Sequence, residues 1–428
     1  MTRRQFVKEF MNEAEAMSPC LREWRRHLHE HPELSYKEYE TTAFIASALK
    51  DLGYEHIRTG FGDLRTGVLA ELNPENTGPG VALRADIDAL PILEESDLSF
   101  SSRKEGVMHA CGHDAHVAML LGAAGLLKRV RDRLPGRVRL IFQPGEETAR
   151  MEGEKAYSAA EFVIRSGALQ GVNAVFALHV WAHLDAGTVG YALGPAMYAS
   201  CRFYLTVLGR GGHGAAPHEA IDPIPTACEV VDAWQKIVSR EVDARETALI
   251  TTGIIRGGTA PNVIPDRVEL AGTIRGLSRE VIEYVCRRMG EIAEHVCAAH
   301  RCRADFRSPK SLRSVVNHRE LSLLAASVAE EVLGKKRCLE IKPITGSDDY
   351  AYYGEVCPAA YFFLGMRERA EGEGGDETRE GKEDKYACAH HNAKFAVNDG
   401  VLPLGAALLA GVAESFLERA VSGTSFPN

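Results

Sequence analysis

Nine consecutive residues, Met108-His-Ala-Cys-Gly-His-Asp-Ala-His116, carry three histidines, one cysteine and one aspartate. Thiolate and imidazole are the preferred ligands of zinc and related borderline metals. Cys111 and His113 lie two residues apart, just ahead of a helical pattern, so both can converge from a loop. Asp114 could hold a ligand or cap that helix. Any one of these histidines would pass as an ordinary polar contact, but the density of the group points to metal. A second signal is Gln143-Pro-Gly-Glu-Glu147, where two adjacent carboxylates follow an apolar run and a turn. Neighbours in an extended turn point different ways. One carboxylate can therefore bind metal while the other faces a reacting water, which a general base must reach directly. His179 interrupts the apolar run Ala174 to Val180, and a histidine there needs a partner. His390 and His391 follow in Ala389-His-His-Asn-Ala-Lys-Phe395. Together these elements supply Cys, His, Glu, His and His. That is more than one tetrahedral metal needs, so the set implies two metals or one open site.

The middle of the chain has polar signals of its own. Gly209-Arg-Gly-Gly-His-Gly-Ala-Ala-Pro-His218 is a glycine-rich turn that presents His213 and His218, and its glycines allow close backbone approach. No Gly-Lys-Ser/Thr follows, so it is a poor match to a phosphate loop. Ala260-Pro-Asn-Val-Ile-Pro265 sets Asn262 in a proline-flanked turn. Arg275 ends an otherwise apolar strand pattern, where a fixed guanidinium suits a carboxylate or a plain salt bridge.

Stepping outward, the 428 residues suggest two or three domains, with 45% hydrophobic and 25% charged residues, an ordinary globular balance. A net charge of −9 argues against a general nucleic-acid binder. The ten cysteines are scattered without a CxxC pair, which excludes a disulfide scaffold and a zinc ribbon. The N-terminal residues lack an apolar secretory core. The longest apolar stretch, Val401 to Val412, falls short of the roughly 18 residues a bilayer span needs. A cytoplasmic protein with no membrane partner is expected.

The elements that must position these groups alternate. A helix is expected around Leu21, Trp24 and Leu28, capped by Ser18 with Pro19 in its first turn. Strand patterns at 81–85, 138–142, 174–180 and 360–364, with helices at 115–130 and 321–333, predict an α/β domain with a mainly parallel sheet. Between them lies a strand at 202–208, a helix at 223–239, strands at 248–255 and 267–274, a helix at 279–300 and a strand at 303–307. That β-α-β-β-α-β order is the split, ferredoxin-like arrangement. The expected organisation is one domain, 1–197 and 310–428, interrupted by another at 198–309. The segment from Glu368 to Lys385, with eight carboxylates and four basic residues, reads as a solvated loop.

The ordered set Arg25-Arg-His-Leu-His-Glu-His-Pro-Glu33, Arg84-Ala-Asp-Ile-Asp-Ala-Leu-Pro91, His109-Ala-Cys-Gly-His-Asp114, Gln143-Pro-Gly-Glu-Glu147, Gly346-Ser-Asp-Asp-Tyr350 and His391 resembles the two-metal aminoacylase and carboxypeptidase family. Its nearest branch contains hippurate hydrolase, indole-acetyl-amino-acid hydrolases and aminobenzoyl-glutamate hydrolase. The resemblance covers almost the whole chain. It implies that Cys111, His113, Glu147, His179 and His391 bind two divalent metal ions, zinc or manganese, and that Glu146 is the general base for attack of metal-bound water. It implies that His213, from the same or a partner subunit, stabilises the oxyanion, and that Asn262 and Arg275 hold the substrate. The implied activity is hydrolysis of N-acyl or N-aroyl amino acids to an amino acid and a carboxylic acid, in a homodimer formed through the inserted domain. A dipeptidase, a carboxypeptidase or an N-acetyl-diaminopimelate deacetylase would use the same site. The chain departs from the family pattern at Asp348-Asp349, after His391 and in the acidic insertion, all expected at the mouth of the site.

Overall fold

The structure is a computed structural model, and it describes residues 3–152, 155–309, 311–368 and 386–423. The acidic loop read at 368–385 lies, apart from Glu368, outside the described residues.

The larger sheet has eight strands in the order His56–Phe61, Leu64–Leu72, Arg137–Gln143, Gly80–Asp86, Ala174–Asp185, Ala359–Arg367, Val189–Tyr191 and Cys338–Glu340. Its centre is parallel, from Arg137–Gln143 through Gly80–Asp86 and Ala174–Asp185 to Ala359–Arg367. Antiparallel strands join it on both sides. The central strands are buried on both faces, which is why they read as continuous apolar runs. Helices Ser18–Glu30, His113–Arg129, Arg319–Leu333 and Leu402–Val421 pack on one face around Leu83, Leu120, Phe176 and Leu409. The other face is covered by the short helix Ala159–Arg165 and the 3-10 turns Asp349–Glu355, with Phe162, Tyr350 and Tyr353 at the contact.

The second sheet has four strands in the order Ala248–Gly257, Arg267–Gly276, Ala199–Leu208, Arg303–Arg307, and every pairing is antiparallel. Helices Pro223–Lys236 and Arg279–Ala299 cover it, with Phe203, Trp234, Ile274 and Met289 in a core of its own. The indole N–H of Trp234 donates to the Met289 carbonyl at 2.9 Å and ties one helix to the other.

Several boundaries differ from the sequence reading. Ser18 does not cap its helix; it is the first helical residue, and Met17 stands at the cap position, because a further helix, Arg3–Ala16, runs almost directly into it. The helix expected to reach Ser239 changes to a π turn at Ile237–Glu241. The apolar run near the C-terminus belongs to a longer helix than its composition suggested. The segment Asp399–Val421 is the one described helix apolar and long enough to cross a membrane, and 94% of its apolar window is buried inside the protein. A helix that is apolar all round is suited to a core of this kind.

Candidate metal and catalytic site

The parallel strands deliver their carboxyl ends to one edge, and ligands of open α/β sheets collect at such edges. Strand Gly80–Asp86 leads to Asp86 and Asp88, strand Arg137–Gln143 to Glu146 and Glu147, and strand Ala174–Asp185 carries His179. Gly112 precedes helix His113–Arg129 with φ of 95°. A Cβ there would lie 2.4 Å from Val180 Cγ2, so only glycine lets the Cys111 loop fold onto the strand. Gly145 (φ 65°) turns Glu146 and Glu147 under the Tyr36 ring in the same way, where a Cβ would meet ring carbon at 2.5 Å.

Two trios of donor atoms share Cys111: one with His113 and His179, the other with Glu147 and His391, each set within 4.8 Å. Cys111 Sγ lies 3.6 Å from His179 Nε2. His391 Nε2 lies 3.2 Å and His113 Nε2 3.9 Å from Glu147 Oε1. Metal–ligand bonds near 2.0–2.3 Å in tetrahedral geometry hold donors about 3.5 Å apart, so these separations fit. Glu147 Oε1 is buried, with the imidazoles of His391 and His113 its facing donor groups. Hydrogen bonds to Cys111 and to Glu147 push the His391 imidazole up to about 10. The thiol, imidazole and carboxylate donors are the types that divalent cations take, so the set fits a metal centre. His391 itself sits at φ 65°, a left-handed backbone rare outside glycine, held by its N–H donating to the Ala110 carbonyl at 2.8 Å.

The imidazoles are oriented from behind. His113 Nδ1 donates to the Asp88 carbonyl at 2.8 Å, and Asp88 Oδ2 accepts the Glu147 N–H at 3.0 Å. His179 Nδ1 donates to the Val180 carbonyl, which leaves Nε2 facing Cys111. Burial, then His116 and His390, hold His179 well below the usual histidine range, as a neutral donor must be. Asp88 escaped the sequence reading, although its position at the end of an apolar strand, inside Arg84-Ala-Asp-Ile-Asp, was a usable signal.

Other members of the histidine-rich segment are placed elsewhere. His116 accepts the Val180 N–H at 3.0 Å and donates to Asp86 at 2.6 Å, so both ring nitrogens are engaged. His109 is buried with neither nitrogen hydrogen-bonded, and burial pulls it down to about 4. Asp114 neither holds a ligand nor caps the helix; it accepts from Arg25 Nε and His29 Nδ1, both at 2.8 Å. His390 stacks on Trp181 with ring centroids 4.8 Å apart.

Glu146 has a different neighbourhood. Burial, followed by Asp348, Glu147 and Asp349, pushes it well above the usual carboxylate range. The Asp349 N–H donates to its Oε1 at 3.4 Å. Asp348 and Asp349 are not at the mouth of the site. They are buried behind Glu146, on Arg84 Nη2 at 3.0 and 3.3 Å, and Gln143 donates to Asp349 at 2.6 Å.

None of the three candidate residues from the middle of the chain belongs to these donor groups. His213 and Asn262 line an open cavity of about 800 Å³ together with Arg256 and Arg267, and none of the donors named above lines it. His213 Nδ1 accepts the Ala215 N–H at 3.0 Å. Arg275 lies at the other end of strand Arg267–Gly276, roughly 26 Å from Arg267. Its Nη1 donates to Ser200 Oγ at 2.6 Å, and it forms no ion pair among the described residues.

A cluster of thiol, imidazole and carboxylate groups beside a second, crowded carboxylate offers the donor types a divalent metal takes. Residues 82–414 match the model of peptidase family M20/M25/M40, and the chain belongs to that family as a metal-dependent amidohydrolase. It is 42% identical over 341 residues to an N-acetyl-L-cysteine deacetylase of Bacillus subtilis, covering 80% of this chain and 79% of that one. It is 36% identical to thermostable carboxypeptidase 1 of Saccharolobus solfataricus, over 96% and 99% of the two chains. Among solved structures it resembles the Bacillus subtilis YXEP protein, described as a dinuclear metal binding peptidase, with a TM-score of 0.76, 33% identity and coverage of 94% and 99%.

Proposed function

We propose that the protein hydrolyses the amide bond of N-acyl or N-aroyl amino acids, releasing a free amino acid and a carboxylic acid. The observation that carries this reading is the division of labour between two adjacent glutamates. Glu147 shares a donor trio with Cys111 and His391, whereas Glu146 meets the cluster through His113 and Glu147 and is raised by burial and by Asp348, Glu147 and Asp349. Cys111, His113, Glu147, His179 and His391 would hold two divalent ions, zinc or manganese. Bound there, the ions supply Lewis acidity, polarising the scissile carbonyl and acidifying water. Glu146 takes the proton of the attacking water and passes it to the leaving nitrogen. The B. subtilis deacetylase relative, whose name gives an N-acyl amino acid as substrate, supports the substrate class. A C-terminal peptide residue is itself an N-acyl amino acid, so the carboxypeptidase relative describes a neighbouring specificity.

Residues 198–309 would act as a unit that brings the substrate-binding groups. With Nδ1 accepting, His213 must carry its proton on Nε2, the tautomer that can donate to an oxyanion. Arg275, near the point where the chain enters this unit, would take the substrate carboxylate. His213 and Asn262, at the far end, would serve the site of a second subunit. The outer strand Ala248–Gly257 supports such a homodimer: its edge is unpaired, and Leu249 and Ile255 are 51% and 56% exposed.

The test is a substrate panel. Metal is stripped with chelator and zinc or manganese restored. N-acetyl and N-benzoyl amino acids are then compared with dipeptides. Hydrolysis of the first group is expected; metal-loaded protein that cleaves no member would overturn the proposal.

A further inference from the structure

Away from the metal site, two more thiols meet. Cys201, on strand Ala199–Leu208, and Cys286, on helix Arg279–Ala299, place their sulfurs 3.7 Å apart. The Ser308 hydroxyl lies 3.0 Å from Cys201 Sγ and 3.4 Å from Cys286 Sγ. Cys201 also donates to the Pro309 carbonyl at 3.4 Å. A cavity of about 300 Å³ opens onto both sulfurs, and its lining includes Arg279 paired with Glu283, and Arg313 paired with Glu355. The pair thus has sulfurs in contact, a hydroxyl that touches both, and an open approach for a small reagent.

We propose that Cys201 and Cys286 form a reversible disulfide site for small disulfides of the glutathione type. Cys286, the more exposed of the two, attacks one sulfur of the reagent as the thiolate and expels one reagent thiolate, leaving a mixed disulfide. Cys201 loses its proton and attacks Sγ of Cys286, expelling the second. In balance, two protein thiols and one small disulfide become one protein disulfide and two small thiols. The shared hydrogen bond between the sulfurs, ahead of the effect of burial, draws Cys286 down to about 7, which favours it as the attacking group. The bond would join the first strand of the four-stranded sheet to its long helix, beside the Ser200–Leu312 bridge where the chain crosses between the two sheets.

The metal-loaded protein is equilibrated in glutathione buffers of graded redox ratio, quenched by alkylation, digested and mapped by mass spectrometry. The expected result is a cross-linked peptide containing residues 201 and 286. It should disappear with dithiothreitol and be absent from Cys286→Ser. Cys201→Ser should instead retain glutathione on Cys286. If both cysteines are recovered fully alkylated across the oxidising range, or Cys286 in the native sequence stops at the glutathione adduct, the proposal is wrong. The native-sequence measurement decides the matter even where a variant folds poorly. Neither outcome depends on which amide the enzyme cleaves.

Discussion

Glu146 and Glu147 are adjacent in the sequence and face different neighbours in the fold, Asp348 and Asp349 for the first and Cys111 and His391 for the second. Glu146→Gln keeps the shape and removes the base. Its turnover is expected to fall by about 10²–10⁴-fold while metal content, read by elemental analysis, stays at the native level; activity within a few-fold of native would refute the assignment. Asp88 acts through His113, so its removal should be read in metal affinity. Asp88→Ala is expected to weaken binding about 10–100-fold, measured by competition with a chromogenic chelator, and an unchanged affinity would show that the His113 orientation is set elsewhere. At this scale the candidate donors were legible because their types are unusual and clustered. The roles of His109, His116 and Asp114 were not, since a histidine's tautomer is set by partners such as Asp86 and Val180 that are distant in sequence. The buried position of Asp348 and Asp349 was hidden for the same reason: Arg84, which they face, is more than 260 residues away.

Among the elements, the turn at Pro144-Gly145 depends on Glu38, which precedes helix Tyr39–Asp51. Glu38 accepts the Gly145 N–H and the Thr66 hydroxyl, both at 2.8 Å. Burial first, then Asp88, raises it from 4.5 to about 7. A folded value above the unfolded one means that stability is fully present below about 4.5 and is lost as pH rises through about 7. Glu38→Gln cannot titrate. The variant is therefore expected to gain on the native protein by about 1–3 kcal/mol over that interval, read from urea midpoints; a difference independent of pH would contradict it. Helix and strand types were largely legible, because the periods 3.6 and 2 are local properties. The hairpin His56–Phe61 with Leu64–Leu72 was not singled out, since its outer strand is mostly exposed and lacks clean alternation.

For the whole molecule, the proposal that His213 serves the site of a second subunit is tested by complementation. Glu146→Gln and His213→Ala homodimers are each expected to be nearly inactive. Mixed and re-equilibrated, they should recover activity in heterodimers, where one site has an intact Glu146 and receives His213 from the other chain. About a quarter of native activity is expected for random exchange, in which half the dimers are mixed and each carries one good site. No recovery, with exchange verified by differential tagging, would place His213 in the service of its own chain. The nested order of the two sheets could be read from the β-α-β-β-α-β run, but the separation of Arg275 from His213 could not, because it depends on strand direction and length.

The buried helix Leu402–Val421 has a consequence for how the chain is made. It fills the centre of the larger core, against His113–Arg129 and Arg3–Ala16, yet it emerges from the ribosome after every other described element. Strand Ala359–Arg367, which sits mid-sheet, is also late. The four-stranded unit has its own core and is translated well before either, so it can close while synthesis continues. Until then the first half of the larger body has its apolar strands, Val81 to Ala85 and Ala174 to Val180, with only part of their cover. Nascent chains stalled before residue 359 should therefore protect the middle unit from protease and remain clients of chaperones that bind exposed apolar strand.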